Sequence, residues 1–235
     1  LAVLRVDHDP ESLTQFVHRS REREVTAAQL MRCLNDSEEV HPRFAILLTL
    51  GDYALREVPE DDRQRLIEQL KAMDANDPSS AIHSATGWLL RQWGFDEAVA
   101  TVDHTPVPYD PTGEREWYIV EIEATQSGQP YSPARNQPDP LRDDPKPLYF
   151  TFIVFPPGEY MVGSPDDEAG QESDEKRYLI KLTRPIAVSD REVTWAQLSP
   201  FDEGGRHDAW EQQFEKELGP NDPAFHVNWF EAVKY

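Results

Sequence analysis

Thr151-Phe152-Ile153-Val154-Phe155, followed by Pro156-Pro157-Gly158-Glu159-Tyr160-Met161-Val162-Gly163-Ser164-Pro165, is the stretch at which this chain changes character. A short run of β-branched and aromatic residues closed by proline predicts a buried strand. The Gly- and Pro-punctuated segment after it reads as a turn. An acidic loop follows, from Asp166-Asp167-Glu168 to Asp174-Glu175. A second strand is expected over Arg177 to Leu182, with Tyr178, Ile180 and Leu182 alternating onto one face. Strands of this kind beside helical patterns elsewhere imply a mixed architecture.

Beyond them, Arg191-Glu192-Val193-Thr194-Trp195-Ala196-Gln197 carries a helix start. Thr194 and Gln197 form a capping box, with Val193 and Leu198 as the hydrophobic staple, and Pro200 should cut that helix short. Asp208 and Glu211 open another helix, with Trp210, Phe214 and Leu218 on one side and Gly219-Pro220 as its stop. Asn228, with Glu231 three residues on, reads as a further N-cap. Trp195, Trp210 and Trp229 all lie near these starts and are expected to be packing residues rather than ligand platforms.

The ordered series resembles the opening of the sulfatase-modifying-factor (formylglycine-generating-enzyme) family: a Gly-Ser turn with an acidic loop, a Glu-Val-Thr helix start, then Pro223 and Val227-Asn228-Trp229 with Ala232 before the next helix. The likeness covers about residues 150 to 235. Tyr178 stands where a His is often found, and Leu198-Ser199-Pro200-Phe201 departs from the usual Tyr-x-x-Phe continuation. The resemblance implies an α+β, C-type-lectin-like domain and, in true enzymes, copper-dependent oxidation of a substrate cysteine by O₂, with calcium a further metal of the complete domain. It also implies a cysteine pair and metal ligands lying past Tyr235. Within this stretch it assigns no catalytic, cofactor-binding or metal-binding residue.

Upstream lies a connecting segment, residues 101–147, rich in proline, with one strand near 117–123 (Trp117-Tyr118-Ile119-Val120-Glu121-Ile122-Glu123). Gln126 to Pro147 is polar and without apolar periodicity, so an extended connection is expected there. Residues 1–100 instead show paired helical patterns. Leu13, Phe16 and Val17 mark one helix, and Ala45 to Leu50 another. Ile82, Ala85, Trp88, Leu89 and Trp93 lie close to the spacing of one helix face. Thr26 with Gln29 makes a capping box, stapled by Val25 and Leu30. Glu60, Asp61 and Asp62 place negative charge where the dipole of the next helix favours it. The repetition resembles HEAT-like repeats; an ordinary small helical bundle is the alternative. The whole reading is multi-domain: an all-α repeat module over 1–100, a linker, and the front of an α+β domain over 148–235. This layout also looks like large bacterial proteins that join such modules.

Composition narrows the functions. Asp plus Glu number 44 against 23 Lys plus Arg, a formal net charge of −21. Such a field repels phosphate backbones and anionic membrane surfaces, so neither nucleic acid nor membrane is an expected partner. No run approaches the ~18 apolar residues of a spanning helix. The chain opens on Leu1 and stops at Tyr235 inside an apolar-patterned run, so a piece of a larger protein is expected. Cys33 is the one cysteine, set among Leu30, Met31 and Leu34 as a packing residue, and it cannot form the thiolate pair that suits a soft Cu(I) ion. Asp7-His8-Asp9 and the acidic loop invite metal readings, but adjacent side chains diverge and the loop lacks EF-hand spacing. No His-x-x-x-His-x-Glu pattern points to an iron-dependent sulfoxide synthase. Two functions remain. One is a formylglycine-generating oxidase with its site elsewhere, acting on a cysteine-containing protein. The other is a catalytically silent relative that binds protein partners.

Overall fold

A computed structural model describes residues 10–122, 147–164, 172, 174–198, 219–229 and 232. Helices and antiparallel sheet are both present. The helical part is built from α1 (Pro10–Ser20), α2 (Ala27–Asp36), α3 (Val40–Leu50), α4 (Glu60–Asn76), α5 (Ser80–Gln92) and α6 (Asp96–Asp103). The residues expected to start α2 do so: Gln29 N–H donates to Thr26 Oγ1 (3.3 Å) and Thr26 N–H to Gln29 Oε1 (2.8 Å). The first turn of α4 carries Glu60, Asp61 and Asp62, as their charge against the dipole predicts.

One core unites these helices. Leu30, Leu47, Leu50, Leu66, Leu70, Ile82, Leu89 and Leu90 are buried in a single cluster. Helix α3 is buried over Ala45, Ile46, Leu47, Thr49 and Leu50, nearly all round, as a helix enclosed by neighbours must be. Its Pro42 falls in the first turn, where a missing N–H breaks no helical bond. The one buried hydroxyl of this run, Thr49, donates to Ala45 O (2.7 Å) and is thereby satisfied. Helix α5 packs against α3, α4 and α6 and so forms the centre of the array. Cys33 is half-buried against this core.

The strands are β1 (Trp117–Ile122), β2 (Leu148–Phe155), β3 (Gly158–Val162), β4 (Tyr178–Leu182) and β5 (Ile186–Ser189). They form a three-stranded antiparallel sheet in the order β1-β2-β5 and a two-stranded β3-β4 ladder. Trp117 lies opposite Ile153, and Phe155 opposite Ile186. The strand read within the connecting segment is thus an edge of the same sheet as β2. A short helix α7 (Trp195–Leu198) follows, and its Thr194/Gln197 capping box forms as expected. Trp195 and Leu198 are buried there against Val193, Phe225 and Val227.

Three expectations need correction. The run Pro156–Pro165 is not all turn: Gly158–Val162 is a strand, because Tyr160 and Val162 suit a pleated edge and β4 offers it a partner. Trp229 is 70% exposed, so among the described residues it is not a packing residue like Trp195, which is 1% exposed. The helical module does not end at residue 100: helix α6 runs to Asp103, into the segment expected to be linker, and packing on α4 and α5 holds it despite the modest helix propensity of Val99, Thr101 and Val102. Trp210, the helix from Asp208 to Leu218, the polar stretch 126–146, Asp7-His8-Asp9 and most of the acidic loop lie outside the described residues.

Candidate functional site

The helical array and the sheet meet at the N-terminus of α5, and the junction is made by residues of β1 and the segment before it. Ser79, the N-cap of α5, makes no capping bond with its side chain. Glu116 does the work from outside: its carboxylate accepts from Ser80 N–H (2.9 Å) and Ser80 Oγ (3.0 Å). An anion at a helix N-terminus is favoured by both the orphan N–H groups and the dipole. Glu116 N–H donates to Pro78 O (2.9 Å), while Val154 N–H donates to Glu116 O (2.8 Å). One residue therefore ties helix and sheet together.

Next to it, Trp117 is 1% exposed and its Nε1–H donates to Asp77 O (2.9 Å). Its indole stacks on His83, with ring centroids 3.8 Å apart and planes 12° apart. The Arg115 guanidinium lies 4.3 Å from the same indole, a cation–π arrangement. His83 Nδ1 is 2.6 Å from Asp74 O. A backbone carbonyl only accepts, so Nδ1 carries the proton in the neutral ring. Burial holds the imidazole below its ordinary pKa, which agrees with a neutral His83.

Behind His83 lies a cavity of about 280 Å³ whose walls come from α4, α5, α6 and the residues after β5. A row of alternating charges runs along it. Arg91 Nη2 pairs with Asp103 Oδ2 at 2.7 Å, Arg191 Nη1 pairs with the same oxygen at 3.0 Å, and Arg191 Nη2 pairs with Asp190 Oδ2 at 2.7 Å. Burial works against the charge on Arg191, but hydrogen bonds and charge from Asp190 and Asp103 outweigh it and raise its pKa. Two cations thus meet two anions.

Asp74 stands apart from that balance. It is 1% exposed and neither carboxylate oxygen has a hydrogen-bond partner. His83 Nδ1 lies 3.6 Å from Oδ1, too long for a bond, and its proton is already committed to the carbonyl. Burial, reinforced by the charge on Asp103 and opposed by Arg91 and Arg191, pushes the Asp74 carboxyl up to about 7. Gly87 makes room for it: a Cβ there would come 2.9 Å from Oδ1. Ser84 also lines the cavity, but it follows His83 on the helix about 100° further round. With His83 Nδ1 spent on a backbone carbonyl, Asp74, His83 and Ser84 do not compose a nucleophilic relay.

No site residue was predicted from sequence, and this cluster was missed. The available signal was Asp74 itself, four residues after Leu70 and seven after Ile67, where an apolar stripe calls for a hydrophobe. Gly87 in mid-helix was the second signal. Among the described residues no group of three His, Cys, Asp or Glu is arranged to hold a metal ion, and no helix is long and apolar enough to cross a membrane. Comparison of the chain with protein-family models, curated proteins and solved structures gives no match.

Proposed function

We propose that this chain is a binding and positioning unit of the sulfatase-modifying-factor kind, in which a HEAT-like helical module and the front of a lectin-like domain work as one platform for a protein partner. The observation that carries the reading is the junction at Glu116 and Trp117, which makes the helical array a structural support of the sheet. The family part rests on the motifs: the Thr194/Gln197 capping box and the Gly163-Ser164 turn, where Ser164 N–H donates to Glu175 O (2.8 Å) at the far end of the acidic loop. Over these residues the unit is catalytically silent, since Cys33 is the chain's one cysteine and packs against the helical core. Cysteine oxidation, with copper, belongs to thiolates other than this one.

The test offers the chain a sulfatase-motif cysteine peptide with Cu(I), O₂ and a thiol reductant that supplies the other two electrons for reducing O₂ to water, following binding by fluorescence anisotropy and aldehyde formation by mass spectrometry. Binding without conversion is the expected result. Conversion would overturn the silent reading. Neither binding nor conversion would overturn the family part and leave a helical scaffold for some other partner.

A further inference from the structure

We propose that the outer edge of β5, continued by β4, docks an extended acidic segment of a partner protein as an added strand. The register leaves this edge open. Asp190 N–H donates to Thr151 O (3.0 Å), so the alternate residues Val188 and Ile186 turn their main-chain groups toward β2. Ala187 and Ser189 turn theirs outward, and among the described residues their N–H groups meet no acceptor. The opposite edge of the sheet differs, since Val107 and Ile119 exchange two main-chain bonds of 3.0 Å across it. On β5, Ile186 is 38% exposed and Val188 47%, both on one face. The edge also runs on. Pro156-Pro157 on one strand and Thr183-Arg184-Pro185 on the other are all that separates the pair Phe155–Ile186 from the pair Gly158–Leu182.

Charge selects the partner. In a chain of net charge −21, the stretch Lys176 to Ser189 holds Lys176, Arg177, Lys181 and Arg184 and no acid. Lys176 and Arg177 adjoin the exposed Glu172, Asp174 and Glu175, which offset them. Lys181 and Arg184 are exposed and, although Glu159 lies opposite Lys181 in the ladder, make no ion pair among the described residues. At physiological salt a Debye length of about 8 Å confines the field, so a strand on this edge feels these two cations more than the whole chain. The same cations oppose edge-to-edge pairing with a second copy. An incoming strand would give its main chain to Ala187 and Ser189, its carboxylates to Lys181 and Arg184, and alternate apolar side chains to Ile186 and Val188. This deepens the reading of the chain as a binding platform and rests on that part of it, not on the family part.

The full chain is titrated, by fluorescence anisotropy, with a labelled peptide of about eight residues alternating glutamate with valine, and with its lysine-for-glutamate counterpart. Saturable binding of the acidic peptide is expected at a Kd of about 100 μM, at least about tenfold tighter than the lysine peptide. With peptide at about ten times its Kd, amide exchange at Ala187 and Ser189 should slow about tenfold. Ala187→Pro removes one outward N–H and leaves the bonds to β2 in place; verified by circular dichroism, it should weaken binding about tenfold. Should that variant not fold, Lys181→Glu with Arg184→Glu serves, and the preference for the acidic peptide should then be lost. No saturation up to about 1 mM, equal binding of the lysine peptide, or unchanged exchange at Ala187 and Ser189 overturns the proposal. So does unchanged binding in Ala187→Pro, or an unchanged preference in the charge-reversed variant. A dimer of the chain that Ala187→Pro dissolves overturns it as well, since the edge then belongs to a second copy. If the cysteine peptide of the preceding test binds while the acidic peptide fails, the platform reading stands and its contact lies away from this edge.

Discussion

His83 and Trp117 lie face to face, 3.8 Å apart and 12° from parallel, although one belongs to a core helix and the other to a strand. The contact joins parts of the chain that composition alone would separate. Trp117→Ala should therefore destabilise more than the sheet, by about 3–5 kcal/mol for a large buried aromatic. Denaturant unfolding followed by helical circular dichroism will show the loss; an unchanged helical transition would mean the two parts fold independently. Trp117→Phe keeps most of the area and gives up the bond to Asp77 O, a loss nearer 1 kcal/mol from that bond.

Asp74 should give stability a pH dependence of unusual sign. Its carboxyl is raised from 3.8 to about 7, so between these values the folded state holds a proton that the unfolded state has released. Stability then falls as pH rises through this window and levels off above it. Asp74→Asn removes the penalty. It should stabilise the protein at pH 8 by up to the order of 3 kcal/mol, and change it far less at pH 4. Urea midpoints at the two pH values check this; a variant less stable at pH 8 than at pH 4 relative to the parent contradicts it.

Glu116→Ala should cost about 0.5–2 kcal/mol, the range for losing a helix N-cap with its favourable charge. Glu116→Gln retains an acceptor for Ser80 and should lose only part of that. Hydrogen exchange at Ser80 reports the loss directly.

Gly163 has φ +95, and a Cβ there would meet Lys176 O at 2.6 Å and Glu175 O at 2.7 Å. Gly163→Ala combines a left-handed backbone with a collision against main chain, which cannot swing aside. The expected penalty is about 1–3 kcal/mol, seen as faster amide exchange across the β3-β4 ladder with α2 to α5 unaffected.

Gly51 illustrates a different need. Its φ is −63, an ordinary helical value, yet an added Cβ would collide with the Trp88 ring. Gly51→Ala should destabilise by about 1–3 kcal/mol through overpacking. Pairing it with Trp88→Leu should recover part of the loss, and a double-mutant cycle that adds without coupling would refute the contact.

Most of the helical region was legible because its signals are local. Capping residues, first-turn carboxylates and the 3.6-residue spacing act within one or two turns, and they locate α2, α4 and α5 well. Helix α6 was not legible, since its β-branched residues argue against a helix and only packing decides. The strand Gly158–Val162 was hidden for a related reason: its pairing partner lies beyond an acidic loop. The cavity escaped because it draws Asp74, Arg91, Asp103 and Arg191 from distant positions, and no spacing rule connects them. Only Asp74 and Gly87 break the patterns of their own helices.

The cap that Glu116 provides also bears on how such a protein can be rearranged. A recombination breakpoint placed anywhere between α5 and β1 would hand the helical cassette to a new neighbour without its carboxylate and without the indole that covers His83. The donor fragment would start with a naked strand edge, and the recipient with an uncapped helix and an open core. Grafts that carry residues through the end of β2 keep the seam intact, so the inheritable block runs across the proline-rich stretch rather than ending at it.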